Sequence, residues 1–71
     1  MDLGARIVAW RKVRNITQRG LAKKIGKTAG AVCQWERGTN SPTVESLETL
    51  VEALGLTMAE FYGDVPKARA A

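Results

Sequence analysis

Apolar side chains recur along this chain at intervals of three and four residues. Leu3, Ile7 and Trp10 stand at i, i+4 and i+7, so residues 3–14 read as an amphipathic helix. Asn15, a residue that tolerates the left-handed conformation, follows it. Thr17 is a good N-cap for a second helix with Leu21, Ala22 and Ile25 on one face, and Gly26 ends that helix. Thr28 opens a third helix that runs to Arg37 and stops at Gly38. Thr39-Asn40-Ser41-Pro42 has the chemistry of a loop. A fourth helix covers Val44 to Leu54 with Leu47, Leu50, Val51 and Leu54 inward, and Gly55 closes it. Thr57 caps a short fifth helix holding Met58, Phe61 and Tyr62.

No alternating strand pattern interrupts this series, so the expected fold is all-α: five short helices in one domain, residues 1–62. Residues 63–71, Ala-rich with Pro66, read as a tail or linker. Trp10 and Trp35 fall on inward faces and are assigned to the core. Of Phe61 and Tyr62, one is expected inward and the other at a partner contact. Glu45, Glu48 and Glu52 share the outer face of the fourth helix and read as a solvated surface. Gly20 inside a helix costs about 1 kcal/mol against Ala. Close approach by another helix or by a phosphate is the expected reason for it.

Composition removes several function classes. The chain has one cysteine, Cys33, and no histidine, so a disulfide, a His-based metal site and a His general base are all excluded. An enzyme is therefore not expected, and neither a cofactor nor a small-molecule substrate is indicated. Apolar runs fall far short of the ~20 residues of a spanning helix, so no membrane role is expected. Met1-Asp2-Leu3-Gly4 lacks a basic segment followed by an apolar one, so no signal peptide is expected and the cytoplasm is the expected location. Charge is more informative by position than in sum. Residues 1–27 carry eight basic side chains against Asp2 alone, whereas residues 28–71 carry three against six acidic ones. One face is therefore expected to meet a polyanion.

The informative stretch is Thr17–Gly38: a capped helix, a tight turn and a second capped helix. A helix-turn-helix uses this geometry to set its second helix in the major groove while the first crosses the backbone. At 100° per residue, Ala31, Val32 and Trp35 fall on one side of the third helix. Ala29, Gly30, Cys33, Gln34 and Arg37 fall on the other. Small residues let a helix sink toward base edges, and a glutamine can hold adenine N6 and N7 through two hydrogen bonds. A thymine methyl can rest against Ala29 or the Thr28 methyl. Gln18 opens the second helix, where free N–H groups and the positive dipole end attract a phosphate, and Arg19, Lys23, Lys24 and Lys27 surround it.

Ile16-Thr17-Gln18-Arg19-Gly20-Leu21-Ala22, Gly26, Val32-Cys33-Gln34-Trp35-Glu36-Arg37-Gly38, Pro42 and Leu47 together resemble the Cro/repressor (XRE-type) helix-turn-helix family, which includes the lambdoid phage repressors. The resemblance spans about Leu3 to Phe61 and implies a lambda-repressor-like domain that binds double-stranded DNA. It implies base readout by Thr28, Ala29, Gly30, Cys33 and Gln34, and phosphate contacts by Gln18, Arg37, Thr39 and Asn40. It also implies an internal ion pair between Arg11 and Glu36. The basic cluster adds Arg19 and Lys23 to the expected phosphate contacts and Lys27 to the expected base readout. Relatives often carry long polar residues where this chain has Ala29 and Gly30, which shifts specificity onto Gln34, Lys27 and DNA shape. Relatives also often carry Lys or Arg in the loop where Thr39 and Asn40 are neutral.

The function so implied is that of a transcriptional regulator, above all a repressor, binding a palindromic operator as a homodimer. Half-sites would lie one helical turn apart, ~34 Å, with the pairing surface near the fifth helix and the loop before it. The alternative is an antitoxin-like or larger-repressor module whose main partner is another protein or domain. Cys33 reads as a small stand-in for Ser, with a redox switch as its sharper alternative.

Overall fold

The computed structural model describes residues 1–66. Five α-helices follow in chain order: α1 (Leu3–Val13), α2 (Gln18–Ile25), α3 (Ala29–Arg37), α4 (Val44–Ala53) and α5 (Met58–Tyr62). No strand occurs among the described residues.

Each helix begins at a side-chain cap. Asp2 accepts from the Ala5 N–H at 2.8 Å, and Thr17, Thr28, Thr43 and Thr57 accept in the same way from the residue three places on. Each such bond satisfies one of the donors a helix start leaves free, and its loss costs ~1 kcal/mol. The ends are equally explicit. Gly26 and Gly38 take the left-handed conformation as caps of α2 and α3, and Asn15 (φ 57°) and Gly55 do so just beyond α1 and α4.

The apolar faces meet in one core: Ile7 and Trp10 of α1, Leu21 and Ala22 of α2, Val32 and Trp35 of α3, Leu47, Leu50 and Val51 of α4, Leu54 just after it, and Phe61 of α5. The helix α3 packs on both α1 and α2, α2 also packs on α4, and α5 closes against α1 and α4. Gly4 permits the α1–α3 crossing. A Cβ built there would sit 2.7 Å from the Trp35 carbonyl oxygen and closer still to that of Glu36. At Gly20 the near neighbours are local and belong to no other helix. A Cβ at that position would meet the Thr17 cap oxygen at 3.1 Å and the Ile16 methyl at 3.4 Å.

Two arginines near the N-terminus bond to the far end of the domain. Arg6 donates to the carbonyls of Phe61 (3.0 Å) and Gly63 (2.7 Å) and lies over the Tyr62 ring. Arg14 donates to the Leu54 carbonyl at 2.9 Å, and the Trp10 indole N–H donates to the Phe61 carbonyl at 2.9 Å. These bonds tie the last turn of α4 and the end of α5 to α1. Arg14 remains exposed, and Arg6 is half-buried. Val65 still packs against the core, so contact with the domain continues past Tyr62. Residues 67–71, the rest of the expected tail, lie outside the described residues.

Candidate nucleic-acid interface

The turn between α2 and α3 is a compact Gly26–Thr28 link. The Lys27 N–H reaches back to the Ala22 carbonyl at 2.9 Å across the left-handed Gly26, and Thr28 at once caps α3. Val32 and Trp35 are buried, which fixes the roll of α3 and determines what it shows to solvent. Gly30, Gln34 and Arg37 are exposed; Ala29 and Cys33 are half-buried on the same outer side. Ala31 packs at the margin of the core and is not fully buried.

A charged network fastens this helix to its neighbours. The Arg11 guanidinium donates to both carboxylate oxygens of Glu36, from Nε at 2.8 Å and from a terminal nitrogen at 3.2 Å. A third donor of Arg11 reaches the Ile16 carbonyl at 3.1 Å. Glu36 also accepts from the Gln18 amide at 2.7 Å. The side chains of Arg11 and Glu36 are only 15% and 6% exposed, so the pair sits at a low-dielectric junction of α1, α2 and α3. Paired, hydrogen-bonded burial of this kind is the condition under which an ion pair is tolerated away from water. Gln18 keeps a second amide N–H and its carbonyl oxygen, and its place at the amino end of α2 is held from below by Glu36.

At the far end of α3 the chain turns back over Gln34. Gly38 adopts φ 77°, and the Thr39 N–H donates to the Gln34 carbonyl at 3.0 Å. The Asn40 side-chain amide donates to the Gln34 side-chain oxygen at 2.6 Å. The sequence reading missed this link. The glycine cap at Gly38 signals that the chain folds back onto the last turn of the helix, but not which side chain of the loop then meets Gln34.

The remaining cations divide. Arg19 and Lys23 lie one turn apart on the exposed side of α2. Lys24 instead flanks a shallow depression with Thr49, Glu52 and Ala53 of α4, away from the network around Gln18. Lys27 borders a cavity of about 330 Å³ with Ile25, Gly26, Thr43, Glu45, Ser46 and Thr49. The exposed Thr39 is tied only through its backbone N–H. Among the described residues no His, Cys, Asp and Glu side chains gather as a metal-binding group, and no helix is long and apolar enough to cross a membrane.

Residues 7–61 match the helix-turn-helix family. The chain belongs to that family, in its Cro/repressor branch. This helix-turn-helix chain is 34% identical over 64 residues to the immunity repressor protein of Bacillus phage phi105, covering 90% of this chain and 44% of that protein. It is 42% identical over 52 residues to repressor protein C2 of Salmonella phage P22, covering 73% of this chain and 24% of that protein. It therefore spans less than half the length of either repressor. The solution structure of the DNA-binding domain of the P22 C2 repressor superposes with a TM-score of 0.85 at 36% identity, covering 93% of this chain and 88% of that domain. The all-helical fold is the fold of that repressor domain.

Proposed function

We propose that this helix-turn-helix chain binds a specific duplex DNA sequence and represses transcription, acting as a homodimer on a palindromic operator. The observation that carries the reading is the outer face of α3. It is a smooth strip of Ala29, Gly30 and Cys33 leading to exposed Gln34 and Arg37, on a helix whose roll is locked by Val32, Trp35 and the Glu36 ion pair. In this reading α3 enters the major groove. Gln34 reads a base edge, with Lys27, Thr28, Ala29, Gly30 and Cys33 lining the contact. Gln18, Arg19, Lys23, Arg37, Thr39 and Asn40 lie near the flanking phosphates. The repressor and DNA-binding roles of the relatives named above support it. A cytoplasmic location goes with this function.

Selection from a random duplex pool tests the proposal. A palindromic consensus with half-sites about one helical turn apart is the expected result. Enrichment of no sequence over the starting pool overturns it.

Met58 and Tyr62 on α5 are large apolar side chains left exposed, at 37% and 52%. They favour a protein contact there, either a second copy of the chain or, in the alternative reading, a different protein as in an antitoxin. Gel filtration with light scattering separates the two: a dimer at micromolar concentration supports self-pairing, and a persistent monomer favours the other partner.

A further inference from the structure

We propose that Asn40 is a positioning residue for base reading: its side-chain amide holds the Gln34 amide in place on the outer face of α3. The proposal rests on the base-reading role of α3 given above. It moves Asn40 from the flanking phosphate to the reading side chain itself.

One turn of the chain holds Gln34 at both ends. Gly38 reverses the backbone, and the N–H groups of Thr39 and Asn40 reach the Gln34 carbonyl at 3.0 and 3.5 Å. The same reversal brings the Asn40 amide nitrogen to 2.6 Å from the Gln34 side-chain oxygen. Little else steadies that side chain. Gly30, one turn earlier on the same face, offers no side chain to lean on, and Gln34 is exposed. An unsupported glutamine samples several rotamers, and its terminal amide rotates broadly.

The bond settles where the Gln34 amide sits. Asn and Gln amides each carry a donor and an acceptor, so the pair turns over only in concert, and in either sense Gln34 keeps its partner and its place. In the observed sense, Oε1 keeps one lone pair and Nε2 keeps both protons, one acceptor and one donor side by side, the pattern that matches N6 and N7 of adenine. Removing Asn40 leaves a side chain that must be ordered as it meets its base, so the matched contact costs more to make and discrimination between bases falls. Entry into the groove excludes water from the Asn40–Gln34 bond and strengthens it, so the constraint acts most where reading occurs.

Two measurements test this. The first needs no DNA: ¹⁵N relaxation of the Gln34 side-chain amide in the free protein. It should show an ordered group that becomes mobile in Asn40→Ala while the backbone spectrum is otherwise kept. An unchanged order parameter overturns the clamp, whatever α3 binds. The second uses the consensus duplex from the random pool, its single-base-pair variants and a scrambled duplex. Gln34→Ala should lower discrimination at one base pair about tenfold. Asn40→Ala should lower it at the same base pair about two- to tenfold, weaken binding to the consensus more than to the scrambled duplex, and lower discrimination no further in the Gln34→Ala background. Equal weakening on every duplex makes Asn40 a phosphate contact and overturns the proposal. So does discrimination that survives Asn40→Ala but not Gln34→Ala. A pool that yields no consensus removes base reading by α3 and this role with it, and the relaxation result still reports separately on the clamp.

Discussion

Arg11 and Glu36, twenty-five positions apart in sequence, meet through two hydrogen bonds of 2.8 and 3.2 Å at the junction of α1, α2 and α3. The pair links the first helix to the last turn of α3, and Gln18 joins it from α2. One carboxylate thus coordinates the helix that presents the outer face and the helix that begins beside it.

Removing one partner should therefore be far worse than removing both. Arg11→Ala leaves a carboxylate that is almost fully buried with only the Gln18 amide for company, and should cost about 3–5 kcal/mol. For a domain of this size that is a large part of the total stability, which is ~5–15 kcal/mol for native proteins in general. Replacing Arg11 and Glu36 together by methionine should cost clearly less than either single alanine change. Urea denaturation followed by tryptophan fluorescence checks this, because Trp10 and Trp35 are both core residues. A double variant less stable than Arg11→Ala would contradict the account.

Two glycines should respond in opposite directions to the same change. At Gly4 a new methyl runs into backbone carbonyls of Trp35 and Glu36, which cannot swing aside as a side chain can. Gly4→Ala should destabilise by about 1–3 kcal/mol, despite alanine's better helix propensity. At Gly30 the nearest atom is the Thr28 hydroxyl oxygen at 3.8 Å, an ordinary contact. Gly30→Ala should keep or slightly raise the melting temperature, by up to about 1 kcal/mol of added stability. Its effect on DNA affinity then reports on how closely α3 approaches the bases, without a folding defect to confuse it.

Helix positions were legible because their signals are local. Thr17, Thr28 and Thr57 cap, Gly26 and Gly38 terminate, and the i, i+3, i+4 spacing of Leu47, Leu50, Val51 and Leu54 marks an inward face. The long-range bonds of two arginines were not legible. Arg6 and Arg14 bind carbonyls 55 to 57 and 40 positions away, and nothing in their own sequence neighbourhood announces those partners. Gly4 was silent for the same reason, since a missing side chain shows its purpose only when the crossing helix is in view. Of the candidate site, the outward set on α3 followed from helical geometry once Val32 and Trp35 were placed inside. The Asn40–Gln34 bond depends on the path of the loop after Gly38 and needed the three-dimensional structure.

The fifth helix should loosen in acid. Glu60 accepts from the Thr57 backbone N–H at 2.9 Å and Thr57 accepts in return, which together form a capping box. The hydrogen bond from the Thr57 backbone holds the Glu60 carboxyl below the ordinary value of 4.5, with the Thr57 side chain adding to it. A carboxylate whose folded pKa is depressed contributes stability that is present above the unfolded value and is lost as pH falls through the folded one. Amide signals of α5 followed by NMR from pH 6 downward should therefore shift toward disorder only below about pH 4.5. Glu60→Gln keeps an oxygen to accept the Thr57 N–H and should flatten that response. An equal acid transition in both proteins would place its origin elsewhere.

The lysines and arginines of α2 should separate by face in their effect on salt dependence. Each phosphate neutralised on binding adds about 0.9 to the slope of log affinity against log salt, because a condensed counterion is released. Arg19 and Lys23 sit on the exposed side of α2, so Arg19→Ala and Lys23→Ala should each reduce the slope by about 0.9 and weaken binding to all duplexes alike. Lys24 is exposed too, but on the side of α2 that borders α4, where it flanks a depression with Thr49 and Glu52, so Lys24→Ala should remove the same formal charge with little change in slope. Sequence alone makes these cations equivalent neighbours in one basic segment, so a ranking with Lys24 apart is a direct test of how α2 is rolled. Fluorescence anisotropy with the selected duplex over 50–200 mM salt, the range in which a binder with 6–10 phosphate contacts loses ~10³–10⁵ in affinity, resolves such differences. Equal losses for all three variants would mean that net charge, and not the placement of α2 against the backbone, drives association.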